Sequence, residues 1–424
     1  MRVMLMALPT RTHIYGLAAV GWALRAAGHE VRYVCQRNPA EVDSFLETGL
    51  DAMWFGEEMD VSRYRRAIGH LGGVGMEADH KISESRPERW TDEHIRSVYD
   101  TWARIHHDGA PDSFLDDVLS FARYWKPDLV IWDPIVYAAP LIAHAVGAPS
   151  VRMLIALDQT ARITAQYQEM MRRLDPAGTV PDPLVEWMSR WLGKHGLAFD
   201  ERVRFGVATL DPQPACMRYD LDVNYLPVRF TPFNKPVTVP QWMITPSEKP
   251  RVCVTLGVSG RQLFTGEETS VADLIEGLAG LDVEIIANFT AEQLAEVGPI
   301  PAHVRVLDFV PLAELLSTCS VIVHQGGGAT LCNAVVHGVP QLVIPGTKWS
   351  ERAAALAQQE RGYSLMVELE EASAATVRRG VERLLAEPHF ARNAAEVRDE
   401  MFATPSFADI VTDLELIAAK GYRC

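Results

Sequence analysis

A histidine, three glycines and a hydroxyl within seven residues form the densest chemistry in this sequence. Val321-Ile-Val-His324-Gln-Gly326-Gly327-Gly328-Ala329-Thr330 runs as an apolar strand into a glycine turn, then into a helical stretch to about Val336. His337-Gly338-Val-Pro340 stops that stretch. Glycines let a backbone approach a ligand closely and adopt unusual φ values. The unpaired N–H groups and positive dipole of a helix start favour an anion. The pattern therefore predicts a phosphate site, with Thr330 adding a hydroxyl hydrogen bond and His324 donating to a diphosphate oxygen. The competing reading is a tight β–α turn around a core histidine.

Two further residues could move a proton. His13 follows the first apolar strand, at the end of the sheet where open α/β folds bind ligands. A histidine in such a loop is often structural, but one beside an acceptor hydroxyl would serve as general base. Asp133 follows another strand of the same sheet and could orient an imidazole and stabilise its charged form. Its alternative duty is to cap the helix after Pro134. His94, His106 and His107 fall in charged stretches and are expected to be exposed.

The elements that must position these residues are legible as rhythm. Arg2–Leu8 is an apolar run of strand length, and a helix is expected from about Tyr15 to Ala27, ended by Gly28. Glu30–Cys35 reads as the next strand, and the pattern recurs through Asp128–Trp132, a helix from Ile135 to Val146, and Ser150–Leu154. Six prolines between Pro227 and Pro250 suit a linker. The rhythm then restarts with strands at Arg251–Leu256, Val283–Ala287, Val304–Leu307, Val321–Val323 and Gln341–Ile344. This predicts an α/β protein of two doubly wound, Rossmann-like domains facing across a cleft. The expected division is 1–226 for the first domain, 227–250 for the linker, 251–404 for the second, and a C-terminal helix in 405–424 packing back on the first.

Residues 51–126 and 159–205 break the rhythm with charged, tryptophan-bearing segments, read as helical insertions on the first domain. Their aromatics suit either core anchors or a wall for a large apolar molecule. Few apolar stripes are evident in them, so two readings stand side by side: their order depends on a partner surface, or they pack on the first domain unaided.

Composition narrows the classes. The chain has 424 residues, 48% hydrophobic and 22% charged, enough for two ordinary cores. A formal charge of −15 argues against nucleic acid or an anionic membrane as partner. No apolar run is long enough to span a bilayer, and the short apolar start lacks a cleavage site. The six cysteines form no Cys-x-x-Cys and no cluster with histidine, so a reduced cytoplasmic protein without a metal is expected.

The segment His324–Pro340 resembles the diphosphate-binding signature of the GT-B-fold family 1 glycosyltransferases. Val252–Ser259, Val306–Leu312, Gly28–Val31 and Lys126–Asp133 are similar to the bacterial antibiotic branch of that family, whose members attach TDP-deoxysugars, often aminosugars, to macrolides and anthracyclines. The resemblance implies inverting, metal-independent transfer to a hydroxyl of a polyketide-type acceptor, with His13 as base and Asp133 as its dyad partner. It implies that Ser259, with Arg261 near it, reaches the diphosphate or sugar. Val310, beside Phe309, would pair with the base, and His324, Gly327, Gly328, Ala329 and Thr330 would hold the diphosphate. Many relatives have a second histidine where this chain has Gln325 and a second threonine where it has Leu331. The sugar-reading acidic residue appears as Glu351, within Trp349–Arg352, so the sugar itself is not fixed. The branch often uses a cytochrome-P450-like activator protein, and a homodimer is compatible.

Other classes fit less well. A dinucleotide oxidoreductase needs a Gly-x-Gly-x-x-Gly after the first strand, yet Leu8–His13 holds no glycine. A P-loop Gly-Lys-Ser/Thr is missing. Two readings remain beside transfer: a GT-B nucleotide-sugar enzyme of epimerase type, and a non-catalytic nucleotide-sugar-binding partner of a transferase.

Overall fold

The computed structural model describes residues 1–60, 62, 81–257, 268–295 and 297–421. They fall into two compact units. The first comprises Met1–Pro212, Tyr219–Thr231 and Pro405–Cys424; the second comprises Gln213–Arg218 and Pro232–Thr404.

The first unit is built on a seven-stranded parallel sheet in the order β3-β2-β1-β4-β5-β6-β7. The strands are β1 (Arg2–Met6), β2 (Glu30–Arg37), β3 (Asp51–Glu58), β4 (Leu129–Trp132), β5 (Ser150–Met153), β6 (Ala208–Asp211) and β7 (Tyr225–Pro227). β1 and β4 are wholly buried apart from Arg2, as expected for central strands covered on both faces. Order reverses between β1 and β4, where Met6 stands opposite Trp132. Such a reversal opens a crevice at the carboxyl ends of the two strands. The core beneath joins Val3 and Leu5 of β1 to Leu17 and Val20 of the Arg11–Ala26 helix, and to Phe407, Ile410 and Leu414 from the chain's end.

Two expectations need correction here. The rhythm does not break at Asp51, because Asp51–Glu58 forms β3 and pairs along β2. Its Met-Trp-Phe centre is half-buried, so the alternation that betrays a strand is blurred. Nor do the helices that follow lack apolar stripes. Asp92–Gly109 buries Ile95, Val98, Tyr99, Trp102 and Ile105 at three- and four-residue spacing. Asp112–Trp125 buries Leu115, Val118, Leu119, Ala122 and Trp125 likewise. Pro183–Lys194 buries Trp187 and Trp191, and its capping Asp182 accepts from Tyr99 Oη at 3.1 Å and Arg204 at 2.7 Å. Charged residues on the outer faces had masked stripes that dock these helices from within. No helix among the described residues is long and apolar enough to cross a membrane.

The second unit carries a six-stranded parallel sheet, β10-β9-β8-β11-β12-β13. Its strands are β8 (Arg251–Thr255), β9 (Glu284–Asn288), β10 (Val304–Leu307), β11 (Val321–His324), β12 (Gln341–Val343) and β13 (Ser364–Met366). Order reverses between β8 and β11, where Thr255 pairs with His324. Val252, Val254, Ile285, Val321, Val323 and Leu342 form the centre of its core. Each sheet therefore ends its reversal point at a histidine-bearing segment.

Candidate active site

In the first unit, β1 ends at Met6 and the chain turns through Pro9 into the Arg11–Ala26 helix. Asn38 Nδ2 donates to the Pro9 carbonyl at 2.7 Å and pins this turn from the end of β2. His13 was read as a loop residue beyond which a helix starts at Tyr15. It stands instead in the first helical turn, where its N–H donates to Thr10 O at 3.1 Å. A helical backbone fixes the Cα–Cβ direction of His13 more firmly than a loop would.

Asp133 leaves the adjacent end of β4, its N–H donating to Met6 O at 3.0 Å. Its carboxylate is wholly buried and hydrogen-bonds His13 Nδ1 through Oδ2. Oδ2 also accepts from Leu8 N–H at 3.2 Å, and Oδ1 from Ile135 N–H at 3.1 Å. An ionised carboxylate only accepts, so Nδ1 carries a proton, and in the neutral ring Nε2 then keeps the lone pair. That is the tautomer a general base requires. The capping alternative is replaced by a turn: the helix begins at Ala138, not after Pro134, and Asp133 closes the bend before it.

In the second unit, β11 ends in His324, and Gly327 caps the Gly328–His337 helix. Gly326 has φ +91, and a Cβ there would stand 3.0 Å from Glu351 Cβ and 3.3 Å from Val343 Cγ1. Only glycine combines that conformation with that closeness. The first N–H groups of the helix, at Gly328, Ala329 and Thr330, have no carbonyl one turn back within the helix. A helix end of this kind favours an anion.

His324 behaves differently from the sequence expectation of a direct donor. It is buried; its Nδ1 accepts from Gly326 N–H at 3.0 Å and its Nε2 donates to Gln341 Oε1 at 2.8 Å. Burial pushes its pKa down to about 4, so the ring is neutral and both nitrogens are engaged inside the chain. Its work in this arrangement is to hold the glycine turn in shape. Gln341 was not singled out from the sequence, although an amide inside the apolar strand Gln341–Val343 is a signal that something buried needs it.

Glu351 starts the Glu351–Arg361 helix against Gly326, and its Oε2 accepts from Trp349 N–H at 2.7 Å. Burial chiefly, with Glu268 nearby, lifts its pKa to about 7. Glu268 itself accepts from Thr347 N–H at 3.0 Å and pairs with Lys348 at 3.2 Å, joining Thr347 and Lys348 to this corner. Because the folded chain holds the Glu351 proton more tightly than the unfolded one, its stabilising share is complete below about pH 4.5 and declines as the pH rises to 7. Glu351→Gln, which mimics the protonated form, should gain on the wild type by about 3 kcal/mol across that window. Parallel stability–pH curves for the two proteins would refute this.

The Val310 side chain is buried with Met243, Leu315 and Ile322, while Lys235 Nζ stands 4.3 Å from the Phe309 ring centre. Ser259 and Arg261 lie outside the described residues. His94 and His106, expected to be exposed, are buried at 1% and 3%, because both sit on the inner face of the Asp92–Gly109 helix.

Residues 22–257 match the N-terminal domain of the family described as erythromycin biosynthesis protein CIII-like, and residues 272–417 match its C-terminal domain. The chain is 37% identical over its whole length to aclacinomycin-T 2-deoxy-L-fucose transferase of Streptomyces galilaeus, covering 97% of that protein. It is 37% identical to 10-deoxymethynolide desosaminyltransferase of Streptomyces venezuelae, with 100% of this chain and 98% of that one covered. Among solved structures, glycosyltransferase VinC in complex with dTDP superposes with a TM-score of 0.87 at 36% identity, covering 99% of this chain and 100% of that one. Spinosyn forosaminyltransferase SpnP gives 0.81 at 37% identity, with 99% of each chain covered.

Proposed function

Because this chain belongs to the erythromycin biosynthesis protein CIII-like family and is a glycosyltransferase of GT-B fold, we propose that it moves a deoxysugar from a TDP-sugar to a hydroxyl of a polyketide-type acceptor. The observation that carries a catalytic role is the buried His13–Asp133 pair at the reversal point of the first sheet. A protein that only bound a nucleotide sugar for a partner would have no use for an oriented base. The transferase names of the relatives, both acting through deoxysugars, support the donor class.

In this reading, Nε2 of His13 removes the acceptor hydroxyl proton as the oxygen attacks the anomeric carbon. The bond from that carbon to the diphosphate oxygen breaks on the opposite face, which inverts the centre. Asp133 stabilises the imidazolium that forms. The leaving diphosphate collects negative charge, and the start of the Gly328–His337 helix offers backbone N–H groups and a positive dipole to it. A helix end and a hydroxyl, rather than a divalent cation, then neutralise the leaving group. Incubation of the purified chain with TDP-deoxysugar and a macrolactone or anthracyclinone, with products identified by mass, tests the activity. Transfer should keep its rate in excess EDTA; loss restored by Mg²⁺ or Mn²⁺ would overturn the metal-free reading.

The same reading includes a cytoplasmic setting and an activator protein of cytochrome-P450 type or a second copy of the chain as partner. A patch on the first unit supports a partner surface. Trp22 is 44% exposed, Val42 42% and Leu46 70%, and Trp22 Nε1 reaches Thr48 O at the end of the Val42–Thr48 helix. Since the inserted helices carry their own apolar stripes, a helper would act on a chain already folded there. Hydrogen exchange on the isolated protein should show strong protection along Asp92–Trp125. Weak protection there, restored by an added partner, would return to the helper the ordering role expected from sequence.

A further inference from the structure

The last residues of four neighbouring strands in the second sheet stand in one row. Leu307 of β10 pairs with Asn288 of β9, Asn288 with Thr255 of β8, and Thr255 with His324 of β11. Parallel strands covered on both faces are apolar, so three polar residues side by side at their carboxyl ends do work other than filling the core. Asparagine in particular is a poor strand former, yet Asn288 closes the run Glu284-Ile-Ile-Ala-Asn288. The row lies at the crevice that the β8–β11 reversal opens.

Each of the three holds backbone that leaves the sheet beside it. His324 Nδ1 accepts from Gly326 N–H, two residues on. Thr255 repeats this on the other side of the reversal, its Oγ1 accepting from Gly257 N–H at 3.2 Å. Gly257, like Gly326, has a positive φ, +69 against +91. The same Thr255 hydroxyl donates to Asn288 Oδ1 at 3.2 Å. Asn288 Nδ2 then donates to Leu307 O at 3.1 Å and to Asp308 O at 3.0 Å, where β10 ends. The amide cannot be turned over, because Oδ1 would then face two carbonyl oxygens. One buried hydroxyl therefore joins the turn after β8 to the loop after β10.

We propose that Thr255 and Asn288 are positioning residues of the donor site: their hydrogen bond fixes the spacing between the Gly257 turn and the loop that starts at Asp308, so that both meet one nucleotide at once. The proposal rests on the TDP-sugar reading above. The two sides of the glycine turn differ in chemistry. Towards β12 stand the carboxyl groups of Glu268 and Glu351, both close to Gly346, which suit the hydroxyls of a sugar. Towards β9 and β10 stand backbone groups and the Phe309 ring, which suit a flat base. A diphosphate at the start of the Gly328–His337 helix then sends its nucleoside across Thr255 and Asn288. Neither side chain has to touch the ligand, because both act through the backbone they hold.

Calorimetry with TDP on the full chain tests this. Thr255→Val keeps the shape and removes the hydroxyl, and it should bind TDP about tenfold or more weakly than the wild type, as loss of one buried hydrogen bond predicts. Thr255→Ser keeps the hydroxyl and should stay within about threefold of the wild type. Asn288→Leu should lose about as much as Thr255→Val. The double variant should lose little more than either, because the two residues serve as one unit. Unchanged TDP affinity in Thr255→Val, a loss as large in Thr255→Ser, or a double-variant loss equal to the product of the single losses would each overturn the proposal. The Ser and Val variants decide alone if Asn288→Leu does not fold. A wild type that fails to bind TDP would overturn the donor reading and this proposal with it. A wild type that binds TDP, with variants that bind equally well, would overturn this proposal only.

Discussion

His13→Ala is expected to lower turnover by about 10²–10⁴-fold while nucleotide-sugar binding hardly changes. The expectation rests on a division of labour: the base belongs to the first unit, and the glycine turn with its helix end belongs to the second. Removing the imidazole leaves the acceptor hydroxyl protonated and its oxygen a poor nucleophile, while nothing in the second unit is disturbed. Asp133→Asn should act in the same direction but more weakly. The amide can still accept from His13 Nδ1–H or from the Leu8 N–H, yet it no longer offers a charge to the imidazolium. Single-turnover rates with a saturating donor, read beside TDP affinity by calorimetry, separate chemistry from binding. Near-normal turnover in His13→Ala would remove the assignment, and lost TDP affinity would place His13 in a different job.

His324→Ala is expected to weaken TDP binding by about 1.5–3 kcal/mol, the range for a hydrogen bond involving a charged group. The structure changes the reason. The imidazole holds Gly326 N–H on one side and Gln341 Oε1 on the other, so its loss strands two buried groups and releases the glycine turn. A direct donor and a shape-holding residue are separable through Gln341, which is wholly buried. Gln341→Leu should reproduce part of the TDP loss and also lower the melting temperature, because it leaves His324 Nε2–H without an acceptor. TDP affinity that falls in His324→Ala but stays normal in Gln341→Leu would show that the histidine touches the ligand itself. Unchanged affinity in both would move the phosphate site elsewhere.

The sequence by itself determined the architecture and pointed to where the chemistry is expected. Buried parallel strands must be apolar along their length, so β1, β4, β8 and β11 stand out as runs, and Gly326 marks a point in the turn that only glycine can occupy. His13 and Asp133, 120 residues apart, could be paired from sequence only by likeness to a family. Their hydrogen bond exists because β1 and β4 are neighbours across the sheet's reversal point, a fact of strand order that no local pattern records. β3 and the stripe of Asp92–Gly109 were hidden because half-buried or charge-lined faces dilute hydrophobic periodicity. What only tertiary structure decided is how each polar group is used. It saturates His324 from inside, where the sequence offered a free donor, and leaves His106 Nε2 buried with no hydrogen-bond partner among the described residues, where the sequence offered an exposed histidine. A side chain's hydrogen-bonding vacancy depends on which atoms arrive opposite it. Those atoms come from elements far away in the chain.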